Sequence, residues 1–445
     1  MGFRRGSNLR DFPKANGNTM KNVLMISYYF PPLGLGGVQR PAKLAKYLPQ
    51  FGWKPTVLTV KTVTYYGYDP TLLDELQNVE IVRTGSLDPL RVFQWRKNIS
   101  SASPRIGEGL YRKFSNWVFV PDSKILWLPF AWATASRLMN QKQIWVLWTT
   151  APPYSSHVLG LGLKLWKKSF WIADFRDDWP ISSSQVPTSF HRHFHDWLLR
   201  QVLTHADRFT VVSQSILSRL HQKSQRPLAH FLFLPNGFDQ EDFEKAVFPK
   251  RKNPQCIFLY CGTLNPIHSP EAFLKGMGLA LQIAPALRSQ IRILFVGKET
   301  GIDLDAMIAQ YSLGCCIERM GYVPHQESVQ KLMEADVLLL FLPAWADSGI
   351  VTGKLYEYLA SGKPILAIVP PGEAARMVAQ WKRGEVVHPE NAEQIAQAII
   401  RWVNDWKKDA LRIGMPRWEG LEIFNRKSQA QKLALLLDSL SSRQF

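Results

Sequence analysis

No stretch of this chain reaches eighteen uninterrupted apolar residues. The nearest, 117–135 (WVFVPDSKILWLPFAWATA), is broken by Pro121, Asp122, Lys124 and Pro129, which argues against a membrane-spanning helix there. Residues 1–20 are polar and basic with no apolar centre, so they read as a disordered leader and not as a signal peptide. Cysteine is scarce: Cys256 and Cys261 lie in a strand-like run, Cys315 and Cys316 are adjacent, and none forms CxxC. That spacing suits small apolar core residues in a reducing, cytoplasmic compartment. There is no zinc-ligand spacing and no aromatic-glycine RNA-binding pattern, so nucleic acid is not the expected partner. Acid is in the minority, 36 Asp and Glu against 54 Lys and Arg, for a net charge of +18. Such an excess favours a phosphorylated substrate or an anionic membrane surface.

What the chain does have is alternation. "KNVLMISYYFPP" opens the fold with a nearly continuous apolar run from Val23 to Tyr29, as expected of a parallel strand covered on both faces. A glycine loop and a helix follow, with Pro41 near the helix start, then the strand "KPTVLTV". Strands are expected at 144–150, 170–175, 207–213 and within 229–238, and again at 256–262, 291–297, 336–342 and 364–370. Residues 391–404 carry a broad apolar helix stripe, and the last helix, 425–440, is amphipathic. Between the two sets, 240–254 has prolines, mixed charge and no apolar period, and reads as a linker. The expected class is α/β, with two Rossmann-like doubly wound domains facing a cleft. The boundaries are a leader (1–20), a first domain (21–245) and a second (246–424), with 425–445 free to return to the first.

Five stretches could carry chemistry. Gly34, Gly36 and Gly37 lie between a strand and a helix, where backbone N–H groups can approach a phosphate or sugar; a plain tight turn is the alternative. In "TTAPPYSSHVLG", His157 is either a cleft contact or a helix-face residue. In "ADFRDDW", Asp174, Arg176, Asp177 and Asp178 crowd the carboxyl end of a strand, as a site or as an ion-pair network. Thr263 and His268 follow the first strand of the second domain, with His268 either a phosphate contact or a loop residue. Finally, "SGIVTGKLYEYLASGKPIL" places Thr352 and Gly353 at a helix mouth, where N–H groups suit a diphosphate. Lys354 and Glu357 then share one helix face, with Glu357 placed to accept from a diol such as ribose.

In order and spacing these stretches resemble the family 4 glycosyltransferases of the GT-B fold, over roughly 21–440. The marks are "YYFPPLGLGGVQR", "DFRDDW", "VVSQSILSRL", "LPNGFDQEDF", "YCGTL", "GYVPHQESVQKLMEADVLLL", "TGKLYEYLASGKPIL" and "GEVVHPENAEQIAQAI". The resemblance implies sugar transfer from a nucleotide-diphosphate sugar (UDP-, GDP- or dTDP-linked), with retention, no metal and no cofactor. It implies that Glu357 binds the donor ribose, that Gly36 and Gly37 approach the donor, and that Lys354 and the backbone from Thr352 to Leu355 lie beside the diphosphate. Thr263 and His268 stand where many members carry an arginine and a lysine. Arg176 and Asp177 are nearest to where many carry a first-domain histidine, and they take the catalytic assignment. His157 and Asp174 are placed on the acceptor side. The motif's first glutamate would fall at 349, where this chain has Gly349.

Two other readings share this pattern, a nucleotide-sugar epimerase on the same fold and a catalytically weak binding homologue. For the acceptor, 92–97, 111–119 and 127–132 pair basic and aromatic residues. They suggest a glycan or lipid-linked acceptor in surface polysaccharide or glycolipid synthesis, with the protein peripheral at the inner face of the cytoplasmic membrane.

Overall fold

The computed structural model describes residues 20–34, 36–61, 67–88, 117–179, 186–247, 253–411 and 418–441. The expected leader, apart from Met20, and the segments 92–97 and 111–116 lie outside the described residues.

The first half holds strands β1 (Lys21–Ile26), β2 (Trp53–Val60), β3 (Glu80–Thr84), β4 (Val146–Ala151), β5 (Phe170–Phe175), β6 (Arg208–Val211) and β7 (Phe231–Phe233). They form one parallel sheet in the order β3-β2-β1-β4-β5-β6-β7. Its helices are α1 (Gly36–Tyr47), α2 (Leu128–Gln141), α3 (Ser155–Lys167), α4 (Ser189–His205) and α5 (Gln214–Ser224). The second sheet repeats the plan with β8 (Cys256–Cys261), β9 (Ile291–Val296), β10 (Ile317–Gly321), β11 (Val337–Phe341), β12 (Ile365–Ile368) and β13 (Gly384–Val387), in the order β10-β9-β8-β11-β12-β13. A short helix α6 (Gln240–Glu244) lies between the halves. Helices α7 (Glu271–Ile283), α8 (Leu304–Gln310), α9 (His325–Glu334), α10 (Gly353–Ser361), α11 (Glu373–Gln380) and α12 (Ala392–Lys407) belong to the second, and α13 (Arg426–Ser441) ends the described chain.

The apolar runs are two-sided because each strand is covered twice. In β1, Leu24 and Ile26 join the core under α2, α3 and α4, while Val23 and Met25 face α1 and α13. In the second sheet, Phe258 and Tyr260 pack toward α7 and α12, and Leu259 packs toward α9 and α10. Strand order reverses beside β1 and again beside β8, which opens a crevice at the carboxyl end of each sheet. The chain crosses between the halves twice, side by side: Phe238 N–H donates to Phe424 O at 3.0 Å, and Arg426 N–H donates to Phe238 O at 2.9 Å. Gly237 must be small there, since a Cβ would stand 1.9 Å from Phe424 O.

Several expectations need correcting. The 240–254 segment is not a featureless linker: its first residues form α6, with Phe243 and Asp242 buried. In the expected 229–238 strand only Phe231–Phe233 is extended, after a 3-10 turn at Leu228–His230. Pro41 lies six residues into α1, not at its mouth. Having no N–H, it leaves the Gly37 carbonyl without a helical donor. The Arg176 guanidinium supplies that donor, and it also donates to the carbonyls of Pro152 and Ala151.

Asp174 is not on a surface open to an acceptor. It is fully buried and takes two hydrogen bonds from Arg40, at 2.7 and 3.1 Å, and one each from Thr150 and Thr210. Burial works to raise its carboxyl pKa, but Arg40 and the hydroxyls outweigh burial and hold it below the ordinary value. Arg40 also donates to Pro235 O at 2.8 Å, so this pair ties α1 to the sheet and to the approach to the crossover. Arg40→Met leaves Asp174 buried and unpaired. It is expected to destabilise the first domain by about 3–5 kcal/mol in urea unfolding, with Arg40→Met/Asp174→Leu recovering most of the loss. A single variant as stable as wild type would remove the pair from its structural role.

Candidate functional site

The second domain builds its half of the crevice from two strand ends and one helix mouth. Gly262 ends β8 at φ +145° and Gly297 follows β9 at φ +133°, conformations that side chains avoid. A Cβ on Gly297 would stand 2.1 Å from Gly262 O, and one on Gly262 would stand 2.5 Å from Lys354 Cε. Gly262 therefore makes the floor on which the Lys354 stem lies, and Gly297 lets the next strand end pack beneath it. Its Nζ donates to Tyr260 Oη at 2.9 Å and sits 4.8 Å from that ring, while Tyr260 Oη donates to Thr263 O at 3.0 Å. Burial pulls the Lys354 ammonium down to about 8, although Cys261 and Glu357 favour its charge.

Lys354 opens the first turn of α10. Thr352, the residue before that helix, makes no side-chain cap, and its buried Oγ1 has no hydrogen-bond partner. A buried hydroxyl without a partner at a helix N-terminus is a vacancy suited to an anion. Gly353 is exposed, and nothing lies within 4 Å of where a Cβ would stand. Leu355 contributes no side chain: it is buried in the core, and its N–H closes the turn onto Thr352 O at 3.1 Å.

One turn on, the Glu357 side chain is 24% exposed and 3.8 Å from His325 Nε2. The same Nε2 lies 3.1 Å from Asp242 Oδ2, while His325 N–H donates to Asp69 Oδ2 at 2.7 Å. Burial opposes charge on His325, yet Glu357 and Asp242 outweigh it and push the imidazole up to about 9. Burial lifts the Glu357 carboxyl, and the His325 cation opposes that rise. Asp242 continues the chain of charges: Lys43 Nζ lies 2.9 Å from it, 2.7 Å from Asp239 and 2.6 Å from Glu75. Glu75, Asp239 and Asp242 have the spacing of a metal site, but Lys43, Lys46 and His325 already fill it with positive charge.

The first domain meets this surface through glycines. Gly34 N–H donates to Gly67 O at 2.8 Å, and the Tyr322 ring lies over both. A Cβ at Gly34 would stand 1.9 Å from Tyr322 Oη, and one at Gly67 would stand 2.8 Å from the ring. Gly36 and Gly37 follow, exposed, at the start of α1.

The residues singled out in the sequence therefore separate. Thr352, Gly353, Lys354, Leu355 and Glu357 lie together on α10 and its mouth, with Gly262 and Thr263 beside them. His268 lies near Lys354, but its Nδ1 is 3.1 Å from Phe341 O, and burial and the lysine hold its pKa down to about 4. The ring is neutral near pH 7, so it offers a diphosphate no cationic clamp. As the tautomer donating to Phe341, it turns an accepting Nε2 to its surroundings. His157 does not face an acceptor: it is 0% exposed, 2.7 Å from Thr149 Oγ1, packed on Phe175, and held down to about 3 by burial. Arg176 is bound to three carbonyls, and its placement is that of a brace between α1 and the end of β4; Asp177, next to it, is exposed. Position 349 is tight for the glutamate of the motif: a Cβ there would stand 2.8 Å from Ser215 Oγ of α5, which would have to shift.

Sequence reasoning missed Tyr260, Tyr322, His325 and Asp69. The signal for His325 was present in "GYVPH", where a proline precedes a helix whose first residue is an imidazole. Its partners Glu357 and Asp242 lie on other helices, and no local spacing announces them.

Residues 240–414 match the family model "Glycosyl transferases group 1". No curated protein matches the chain. Solved structures match over nearly its whole length. Sucrose-phosphate synthase from Thermosynechococcus elongatus superposes with a TM-score of 0.64 at 16% identity, covering 95% of this chain and 100% of that one. Anabaena Alr3699/HepE, solved in complex with UDP, gives 0.60 at 14%, covering 94% and 100%. WaaG, a glycosyltransferase involved in lipopolysaccharide biosynthesis, gives 0.55 at 13%, covering 93% and 95%. At these identities the likeness is one of fold, two parallel sheets about a crevice. With the family match over 240–414, the chain carries a group 1 glycosyltransferase domain in its second half, on a two-sheet fold shared with these structures.

Proposed function

We propose that the chain moves a sugar from a nucleotide-diphosphate donor to a glycan or lipid-linked acceptor, with retention and without a metal. The observation that carries this is the mouth of α10: an unpartnered buried Thr352 hydroxyl, the Lys354 ammonium, and one turn later the partly exposed Glu357 carboxylate. The three suit a diphosphate followed by a ribose. Thr352 and the helix N-terminus take the phosphates, Lys354 answers the charge that grows on the leaving group, and Glu357 accepts from the ribose hydroxyls. Fixed N–H groups and an ammonium do the work that a divalent cation would do, which is the argument for metal independence. Retention follows from attack on the face from which the diphosphate departs, where a phosphate oxygen can take the acceptor's proton. The first-domain residues expected on the acceptor side, His157 and Asp174, are locked in the core and offer no base there. Because HepE was solved with UDP, UDP-sugars are the first donors to test; GDP- and dTDP-sugars follow. The acceptor is placed at the inner face of the cytoplasmic membrane, in surface polysaccharide or glycolipid synthesis. The reading takes that contact as peripheral; no helix among the described residues is long and apolar enough to cross a membrane.

Glu357→Ala is expected to weaken donor binding about 10- to 100-fold by isothermal titration, the worth of hydrogen bonds to a charged group. Wild-type affinity in that variant removes Glu357 from the donor site. Incubating the donor alone tests the reaction class: slow hydrolysis is expected, and an epimer of the donor would overturn the transferase reading.

A pH profile tests the two cations. Lys354 titrates at about 8 and His325 at about 9, and both favour an anionic donor when protonated. Affinity for UDP is therefore expected to be highest below both values and to fall as pH rises through them. Lys354→Met should bind weakly and lose the lower limb of that fall. Stability follows His325 in the same direction. Its folded pKa exceeds the ordinary 6.5, so its contribution is complete below that value and fades as pH rises through about 9. A wild-type affinity that is flat across this window would exclude both roles.

A further inference from the structure

The outer layer of the first domain has a surface that neither the fold nor the donor site explains. On α4, Phe190, Phe194 and Trp197 follow one another along a single face, 73%, 36% and 50% exposed. Their rings stack in sequence, with centroids 6.4 and 5.5 Å apart. Trp117, 61% exposed, is tied to the same helix because His191 Nε2 donates to its carbonyl at 2.9 Å. Helix α3 packs between α4 and α2. It adds Trp166, half exposed, near Trp132 of α2 at 5.9 Å and capped by Lys167 Nζ at 4.2 Å from the ring centre. A continuous row of large exposed rings is costly in water, and solvent-facing helices rarely keep one without a partner.

The charge on this layer is one-sided. Helices α2 and α3 contain no aspartate or glutamate, and α4 contains only Asp196, which Lys223 answers at 3.1 Å. Against these stand Arg137, Lys167, Arg192 and Arg200, of which Arg200 is exposed one turn from Trp197; Lys164 is answered by Asp207 at 2.6 Å. Rings with cations beside them suit a headgroup region, where aromatic rings settle at the boundary and cations meet anionic phosphates. Ordinary protein interfaces are depleted in lysine and hold cations opposite acids, which makes a second copy of this cationic face a poor fit.

We propose that the outer face of α2, α3 and α4, centred on Phe190, Phe194 and Trp197, docks the protein on an anionic bilayer. This rests on the reading of the acceptor as membrane-held, and it specifies the face that makes the contact. Of the aromatic segment 127–132, only part can contribute: Phe130 is exposed, whereas Trp127 is buried and donates to Thr84 Oγ1 at 2.7 Å.

The test is co-sedimentation of the full chain with two kinds of vesicle, phosphatidylcholine alone and phosphatidylcholine with roughly one-third phosphatidylglycerol. Wild type should bind the second, bind the first far less, and be released by high salt. Arg200→Gln should weaken partition about fivefold, and Arg200→Gln/Lys167→Gln about 25-fold. Phe190→Ser/Phe194→Ser/Trp197→Ser should abolish binding while UDP affinity and thermal unfolding stay those of wild type, since these side chains point away from the core. Undiminished binding by the triple variant would overturn the proposal. So would a wild type that sediments with neither vesicle, or one that forms a dimer by ultracentrifugation that the triple variant disperses. Failure here with donor binding intact leaves the transferase reading standing. Failure to bind any nucleotide-sugar sinks that reading and leaves the vesicle result to be judged by itself.

Discussion

One imidazole holds the site's two halves in a single electrostatic unit. His325 lies between Glu357 and Asp242, and its backbone is held by Asp69 of the first domain. Through Asp242 it connects to Lys43, and through Lys43 to Glu75 and Asp239. Charges therefore alternate from α1 in one domain to α10 in the other. A buried carboxylate such as Glu357 would drift toward its neutral form, and a neutral acid is a poorer acceptor for a diol. The cation beside it opposes that drift. The same network fixes α1, whose Lys46 and Tyr47 also reach Asp239. Helix α1, which follows the glycine loop, and helix α10 are thus linked to one another by a chain of ion pairs.

Lys354 shows the reverse adjustment. The end of its stem lies on Gly262 and its nitrogen sits over the face of Tyr260, so little water reaches it. Desolvation makes the ammonium unstable alone and therefore strongly responsive to an arriving anion. A binding group that is poorly solvated beforehand loses less hydration when a diphosphate replaces the water. The positive φ at Gly262 and Gly297 is a backbone cost accepted at the site so that strand ends can approach this closely.

Much of the fold is legible because central parallel strands need apolar residues on both faces. Val23 to Ile26, Phe258 to Tyr260 and Val337 to Phe341 stand out for that reason. The edge strands β3, β10 and β13 do not, since one flank of each is open and their residues are mostly half-exposed. At the site, the helix mouth is legible because its parts are contiguous, from Thr352 to Glu357. What needs long-range contact is not. The "ADFRDDW" cluster reads equally as chemistry or as structure, and only the pairing of Asp174 with Arg40, from a helix 134 residues earlier, decides between them. Arg176 is comparable: its role as donor to Gly37 O depends on Pro41 having removed the natural one. Histidines mislead for the same reason. His157 and His268 are equivalent by sequence to His325; burial disfavours charge on all three, and the carboxylates of Glu357 and Asp242 beside His325 separate one cation from two neutral rings.

The absent carboxylate at 349 is explained by what occupies its space. Ser215 begins α5 in the first domain, next to the Ser213 cap, and its hydroxyl would stand 2.8 Å from any Cβ placed at Gly349. The loop after β11 therefore touches the first domain directly, and only a residue without a side chain allows it. Asp347 Oδ1 accepts from Gly349 N–H at 2.7 Å and holds the loop in that path. A side chain at 349 would have to push back Ser215 and Asp347 to keep this closeness of the two domains. The glycine at 349 thus goes with the close approach of this loop to Ser215, and Thr352, Lys354 and Glu357 of the α10 mouth lie apart from that contact.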